Sequence, residues 1–213
     1  MSGAVAIVVA YLLGSIPSGY LAGRLRGVDI RTVGSRNVGA TNVFRTLGKG
    51  IGIGVMAADI AKGAAAVLIA DAIAGQPWSI CAAAAAIIGH VWPVWLRFRG
   101  GKGVAVGAGA AAALTPLPFA VLFVLWILIV LGTRYVSVAS IVCAAAYAPL
   151  VWLFGASWEI VLYAAVASVA VIWLHRKNIT RLASGTELRL SLRSRGGARN
   201  GSTSAADPSG RER

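Results

Sequence analysis

Five stretches of the chain carry no Asp, Glu, Lys or Arg: residues 2–23, 72–96, 103–133, 135–158 and 160–174. A spanning helix needs about 20 apolar residues to cross a hydrocarbon core of about 30 Å. Several of these runs are long enough, and the pattern predicts an all-α polytopic membrane protein. Spans are expected over residues 3–23, 51–70, 78–96, 135–154 and 158–174. Within 103–133, Thr115-Pro116-Leu117-Pro118 interrupts the run. The first half, 104–114, would rise only about 16 Å as a helix. Two short spans or a re-entrant hairpin fit there. We take the first option, giving about seven transmembrane helices.

Charge fixes the expected orientation. Lys and Arg collect in loop 24–49, at 97–102, at Arg134 and from Arg176 onward, while Lys62 is the single exception. The connections near 71–77, 115–118 and 155–159 have neither. Cytoplasmic loops of membrane proteins accumulate cations, so the N-terminus is expected outside and the C-terminus in the cytoplasm. No basic residue precedes the first apolar run, which therefore reads as a retained span and not a cleaved leader. The membrane domain is expected over 1–187. Residues 188–213 form a basic tail, read as disordered from about 191.

Composition agrees with this reading. Hydrophobic residues make up 58% of the chain, charged residues 13%, and the mean hydropathy is +0.77. The net charge of +13 follows from the one-sided loops and does not call for nucleic acid. Cys81 and Cys143 lie in apolar runs with no ligand spacing to the two histidines, so no metal site or disulfide framework is indicated.

Three cytoplasmic segments combine glycines with cations and amides. The first reads GSRNVGATNVFRTLGKG over 34–50. Its glycines, Gly39 among them, let backbone N–H groups approach an anion. Ser35, Asn37, Thr41 and Asn42 add neutral donors, and Arg45 a planar fork suited to phosphate. The second, GHVWPVWLRFRGGKG over 89–103, sets Lys102 among Gly100, Gly101 and Gly103. It lacks the spacing and strand context of a nucleotide-binding P-loop. The third, HRKNITRLASGTE over 175–187, places His175, Asn178 and Arg181 near one helical face. Asp59 and Lys62, spaced i,i+3 inside an apolar run, can pair with each other.

These segments, in this order and spacing, resemble the PlsY-type acyl-phosphate:glycerol-3-phosphate acyltransferases. DIAKG at 59–63 and RYVSVAS at 134–140 extend the likeness, which covers roughly residues 10–187. The family usually has glycine where this chain has Arg36. The resemblance implies transfer of a fatty acyl group from acyl phosphate to the 1-hydroxyl of glycerol 3-phosphate, with inorganic phosphate released. It implies catalytic roles for His175, Asn178 and Ser35. Substrate binding would fall to Asn37, Gly39, Thr41, Asn42, Arg45, Gly100, Gly101, Lys102, Gly103, Ser140 and Arg181. Asp59, Lys62 and Glu187 would be structural, and no cofactor or metal would be needed. Membrane lipid and the two phosphorylated substrates would be the partners, in a bacterial cytoplasmic membrane.

Glycine-loop N–H groups are expected to stabilise the oxyanion. The hydroxyl proton is expected to pass either to His175, near its ordinary pKa, or to a substrate phosphate oxygen with His175 only positioning the substrates; Asn178 would donate to phosphate or hold the imidazole tautomer. A transporter for an organic phosphate is the alternative. It would place its site at the midplane between inverted repeats, and neither feature is visible in the chain.

Overall fold

The computed structural model describes residues 2–190, and every regular element in them is helical. The expectation of a disordered tail from 191 lies outside the described residues. In chain order the helices are α1 (Ser2–Ser15), α2 (Ser18–Arg24), α3 (Ala40–Leu47), α4 (Lys49–Ala74) and α5 (Trp78–Val91). A 3₁₀ turn (Val94–Leu96) leads to α6 (Val104–Leu114), α7 (Pro116–Thr133), α8 (Val136–Leu153), α9 (Trp158–Leu174) and α10 (Arg176–Ala183).

The breaks follow the prolines. Pro17 divides the first apolar run into α1 and α2, and Pro93 separates α5 from the 3₁₀ turn. Neither has an N–H to extend a ladder, and each restricts the residue before it. Pro116 instead begins α7, where a missing N–H costs nothing.

Five segments have the length and hydropathy of a membrane span: Ser2–Arg24, Lys49–Ala74, Trp78–Leu96, Pro116–Thr133 and Val136–Leu153. Counting α9 with α10, bent by 53° between them, makes six. The expected count of seven therefore differs from what length alone gives. Helix α6 has only 11 residues, and α9 has 17.

Packing inverts the soluble pattern. Large apolar side chains such as Val124, Leu128, Leu131, Trp152, Val166 and Val169 face outward. The interior is lined by small ones, among them Ala6, Ala10, Ala82, Ala86, Ala110 and Ala164. Lipid tails solvate Leu as well as a core does, so association rests on close backbone approach. The α4–α6 contact shows the limit of this. A Cβ on Gly63 would lie 2.1 Å from the Val106 carbonyl oxygen, and one on Gly109 would lie 1.9 Å from that of Ile60.

Asp59 and Lys62 pair across one turn of α4 at 2.8 Å, with side chains 2% and 6% exposed. Removing one partner of such a pair leaves a bare buried charge, a loss of about 3–5 kcal/mol. Lys62→Met should therefore lower the thermal unfolding midpoint in detergent clearly. Adding Asp59→Asn to it should recover part of the loss.

Candidate active site

The third motif folds back on itself. Helix α10 ends at Ala183, and Gly185 takes the left-handed conformation at φ 70°. Thr186 and Glu187 then both donate their N–H groups to the Arg181 carbonyl, at 2.8 and 3.1 Å. This turn returns the Glu187 carboxylate to the face of α10 that carries Asn178 and Arg181. Arg181 Nε donates to Oε2 at 2.7 Å, and Asn178 Nδ2 donates to Oε1 at 2.7 Å. Ser137, in the first turn of α8, donates its hydroxyl to the same Oε1 at 2.8 Å. Burial opposes ionisation of Glu187, but the three hydrogen bonds and the Arg181 charge outweigh it and hold its pKa below the ordinary value.

The second motif meets this cluster through Lys102, whose ammonium donates to Asn178 Oδ1. Burial lowers the Lys102 pKa to about 8; Glu187 opposes the shift, while Arg181 and Arg45 add to it. The first motif contributes Arg45 from α3. Its Nη2 donates to the Leu188 carbonyl at 2.7 Å, and its buried Nε has no partner among the described residues. Arg45, Lys102 and Arg181 thus gather around one carboxylate, and the cluster retains a surplus of positive charge.

His175 sits at the bend between α9 and α10, 3% exposed. Its Nδ1 lies 2.8 Å from the Val171 carbonyl oxygen, which can only accept, so Nδ1 carries the proton and Nε2 keeps a lone pair. Burial, reinforced by Lys102, lowers its pKa to about 4.

Comparison with known proteins shows the family. The family model described as glycerol-3-phosphate acyltransferase matches residues 4–185. The chain belongs to that family. It is 46% identical to the glycerol-3-phosphate acyltransferase of Rubrobacter xylanophilus, over 90% of this chain and 96% of the relative. It is 49% identical to glycerol-3-phosphate acyltransferase 2 of Moorella thermoacetica, over 89% and 98%. Two crystal structures of PlsY, an integral membrane glycerol 3-phosphate acyltransferase, superimpose on it. The glycerol 3-phosphate form gives a TM-score of 0.86 at 39% identity, covering 90% of this chain and 96% of that one. The lysophosphatidic acid form gives 0.84 at 38%, with the same coverage.

Within this member of the family, the fold brings together Arg45, Lys102, His175, Asn178, Arg181 and Glu187. Other residues expected to bind substrate are engaged elsewhere. Asn42 is 1% exposed. Its Nδ2 donates to the carbonyls of Ile30, Val33 and Asn37 at 2.9–3.1 Å, and its Oδ1 accepts from the Ser35 N–H at 2.8 Å. It holds the loop together and has no polar group left for a ligand. Ser140 donates to the Val136 carbonyl at 2.8 Å and lies 3.4 Å from Trp126 Nε1, so its hydroxyl is committed within the helices. The N–H groups of Gly100 and Gly101 are taken by the Val91 and His90 carbonyls, each at 3.0 Å, which removes both as oxyanion donors. Asn178 does not set the His175 tautomer, because the Val171 carbonyl does.

Ser35 is exposed, and Asn37, Gly39 and Thr41 are half-buried. Asn37 Oδ1 accepts from the Gly39 N–H at 2.7 Å. None of their hydrogen bonds among the described residues reaches the cationic cluster. Sequence reasoning missed Ser137, though it lies three residues before Ser140 in the quoted segment. It also missed the carbonyls of Val171 and Leu188, because a carbonyl is common to every residue and carries no sequence signal.

The structure also explains the departure at Arg36. Its φ is 60°, in the left-handed region where a Cβ costs about 1–2 kcal/mol and glycine almost nothing. Glycine, the residue the resemblance leads one to expect here, would suit this turn, and the side chain of Arg36 is exposed. Arg36→Gly should therefore raise the thermal midpoint by an amount worth about 1 kcal/mol. Arg36→Ala, which keeps the Cβ, should not raise it comparably.

Proposed function

We propose that this chain acylates the 1-hydroxyl of glycerol 3-phosphate with a fatty acyl phosphate as donor, giving lysophosphatidic acid and inorganic phosphate. The surplus of positive charge around one carboxylate, from half-buried Arg45 and Lys102 and from Arg181 at the cluster's exposed side, carries the reading. Both substrates are phosphate anions, and charge-assisted contacts to such groups are the strong ones. The apolar helices supply surroundings for the acyl chain. The opening of α6, directly after Gly103, adds first-turn N–H groups without intrahelical acceptors and a favourable dipole for an anion.

The hydroxyl oxygen attacks the acyl carbon, and the bond from that carbon to the phosphate oxygen breaks. Inorganic phosphate leaves with the electron pair. An acyl phosphate is already activated, so the step needs no metal, nucleotide or acyl-enzyme. The unprotonated Nε2 of His175 accepts the hydroxyl proton in this scheme. Asn178, fixed between Lys102 and Glu187, positions the ammonium, and Ser35 lines the approach from the neighbouring loop. Seven crossings of a bacterial cytoplasmic membrane, with the N-terminus outside, place the three motifs on the cytoplasmic side. The cation count of the loops supports that orientation. No observation favours the transporter alternative.

Donor choice tests the reaction. Purified protein supplied with glycerol 3-phosphate should release phosphate from acyl phosphate and should make no lysophosphatidic acid from acyl-CoA. Comparable rates with acyl-CoA would reject the donor assignment.

The pKa directions give a second test. Lys102 must be charged to hold phosphate, so kcat/KM should fall as pH rises through about 8. Lys102→Arg should move that basic limb upward, because guanidinium stays charged. His175 must be neutral to accept a proton, so its acidic limb should lie near 4 and not near the ordinary 6.5. Because wild type and variant see the same substrates, titration of the substrate phosphates cancels in the comparison.

A further inference from the structure

Behind the Lys102 loop lies a buried group that the reaction does not use. The Lys62 ammonium donates to the Ile16 carbonyl at 2.6 Å and to His90 Nδ1 at 3.2 Å, and it pairs in charge with Asp59 Oδ1 at 2.8 Å. An ammonium cannot accept, so His90 Nδ1 is the acceptor and Nε2 carries the proton. Asp59 Oδ1 lies 4.0 Å from His90 Nδ1, on the same side of the ring. The imidazole is held in one tautomer and one rotation by a charge that is itself paired.

The opposite edge of the ring meets the Gly-Gly-Lys-Gly loop. Gly101 donates its N–H to the His90 carbonyl at 3.0 Å, and Gly100 donates to the Val91 carbonyl at 3.0 Å. A Cβ added at Gly101 would lie 2.2 Å from His90 Nε2, and one at Gly100 would lie 2.0 Å from the His90 carbonyl oxygen. His90 thus meets the loop twice, through its carbonyl and through its ring. Lys102 is the next residue, and its long, freely rotating stem reaches Asn178 only from a fixed starting point.

We propose that His90, locked by the Asp59–Lys62 pair, is a positioning residue that fixes the backbone before Lys102 and so aims its ammonium at phosphate. This rests on Lys102 being a phosphate ligand, as proposed above. The Ile16 carbonyl, at the break between α1 and α2, ties the same ammonium to the first helix pair. A leucine at position 90 would fill similar volume but would leave the Lys62 donor that meets Nδ1 without its acceptor. Volume alone therefore does not account for a histidine at this place.

The test is a double-mutant cycle on the full chain in detergent, using His90→Asn and Lys102→Ala. An Asn Oδ1 can take the place of Nδ1 and keep Lys62 satisfied, while the space beside Gly101 is left unfilled. His90→Asn should weaken binding of inorganic phosphate, measured by calorimetry, about tenfold. It should raise KM for glycerol 3-phosphate by a similar factor, with kcat nearly unchanged. In the Lys102→Ala background the same substitution should change KM little, because His90 acts through Lys102. Equal effects in both backgrounds would show a general packing role and overturn the proposal, as would unchanged phosphate binding in a folded His90→Asn protein.

His90→Gln, whose amide extends toward the Nε2 position, enters the same cycle if the Asn variant does not fold, with the same non-additivity expected. Loss of phosphate binding by His90→Asn, in a protein whose wild type binds phosphate but transfers no acyl group, would uphold the positioning role and reject the proposed reaction. An additive cycle in an active acyltransferase would do the reverse.

Discussion

The Glu187 carboxylate is the contact on which the cationic cluster depends. Three donors from two helices converge on it, and through Asn178 it reaches a third segment at Lys102. Without a buried anion, Arg45, Lys102 and Arg181 would repel one another in surroundings that screen charge poorly. One carboxylate among three cations holds the cluster together and still leaves it positively charged. A second carboxylate would neutralise it further, and none would leave nothing to organise it. Glu187 therefore sets the stability of the arrangement and its net charge.

The helices that carry this cluster are assembled by different means. Small residues and glycines let α4 approach α6, and α1 approach α5, through their backbones, and the large apolar side chains turn outward. Such packing is rigid because backbone contacts cannot rotate away as side chains can. A cation site benefits directly, since an ammonium on a mobile support would lose most of its directional value. The short helices α3 and α10 then present Arg45, Asn178 and Arg181 as spokes from a fixed frame.

Burial also sets the chemistry available. Removing Lys102 from water brings its pKa to about 8, and His175 falls to about 4 beside it. The pair is thus an ammonium and a neutral imidazole at neutral pH. The same residues in a solvated loop would titrate at their ordinary values and would lie closer together in charge state under mild acid.

Much of this was legible in the sequence. The charge-free runs located α1 and α5 to α9, and Thr115-Pro116 marked the break between α6 and α7, because hydropathy and proline act locally. The i,i+3 spacing of Asp59 and Lys62 announced their pairing, and the residue types of the three motifs announced a cationic cluster. Which donors remained free was decided only by the tertiary structure. Asn42, Ser140, Gly100 and Gly101 have the right chemistry for ligand binding, yet their polar groups are used within the fold. Ser137, the Val171 carbonyl and the wall that His90 builds behind Gly101 depend on contacts between segments distant in the chain or on the path of the backbone. A sequence states which groups can form hydrogen bonds. Only the packed chain determines which of them have already done so, because each such bond closes a geometry that residue type does not encode.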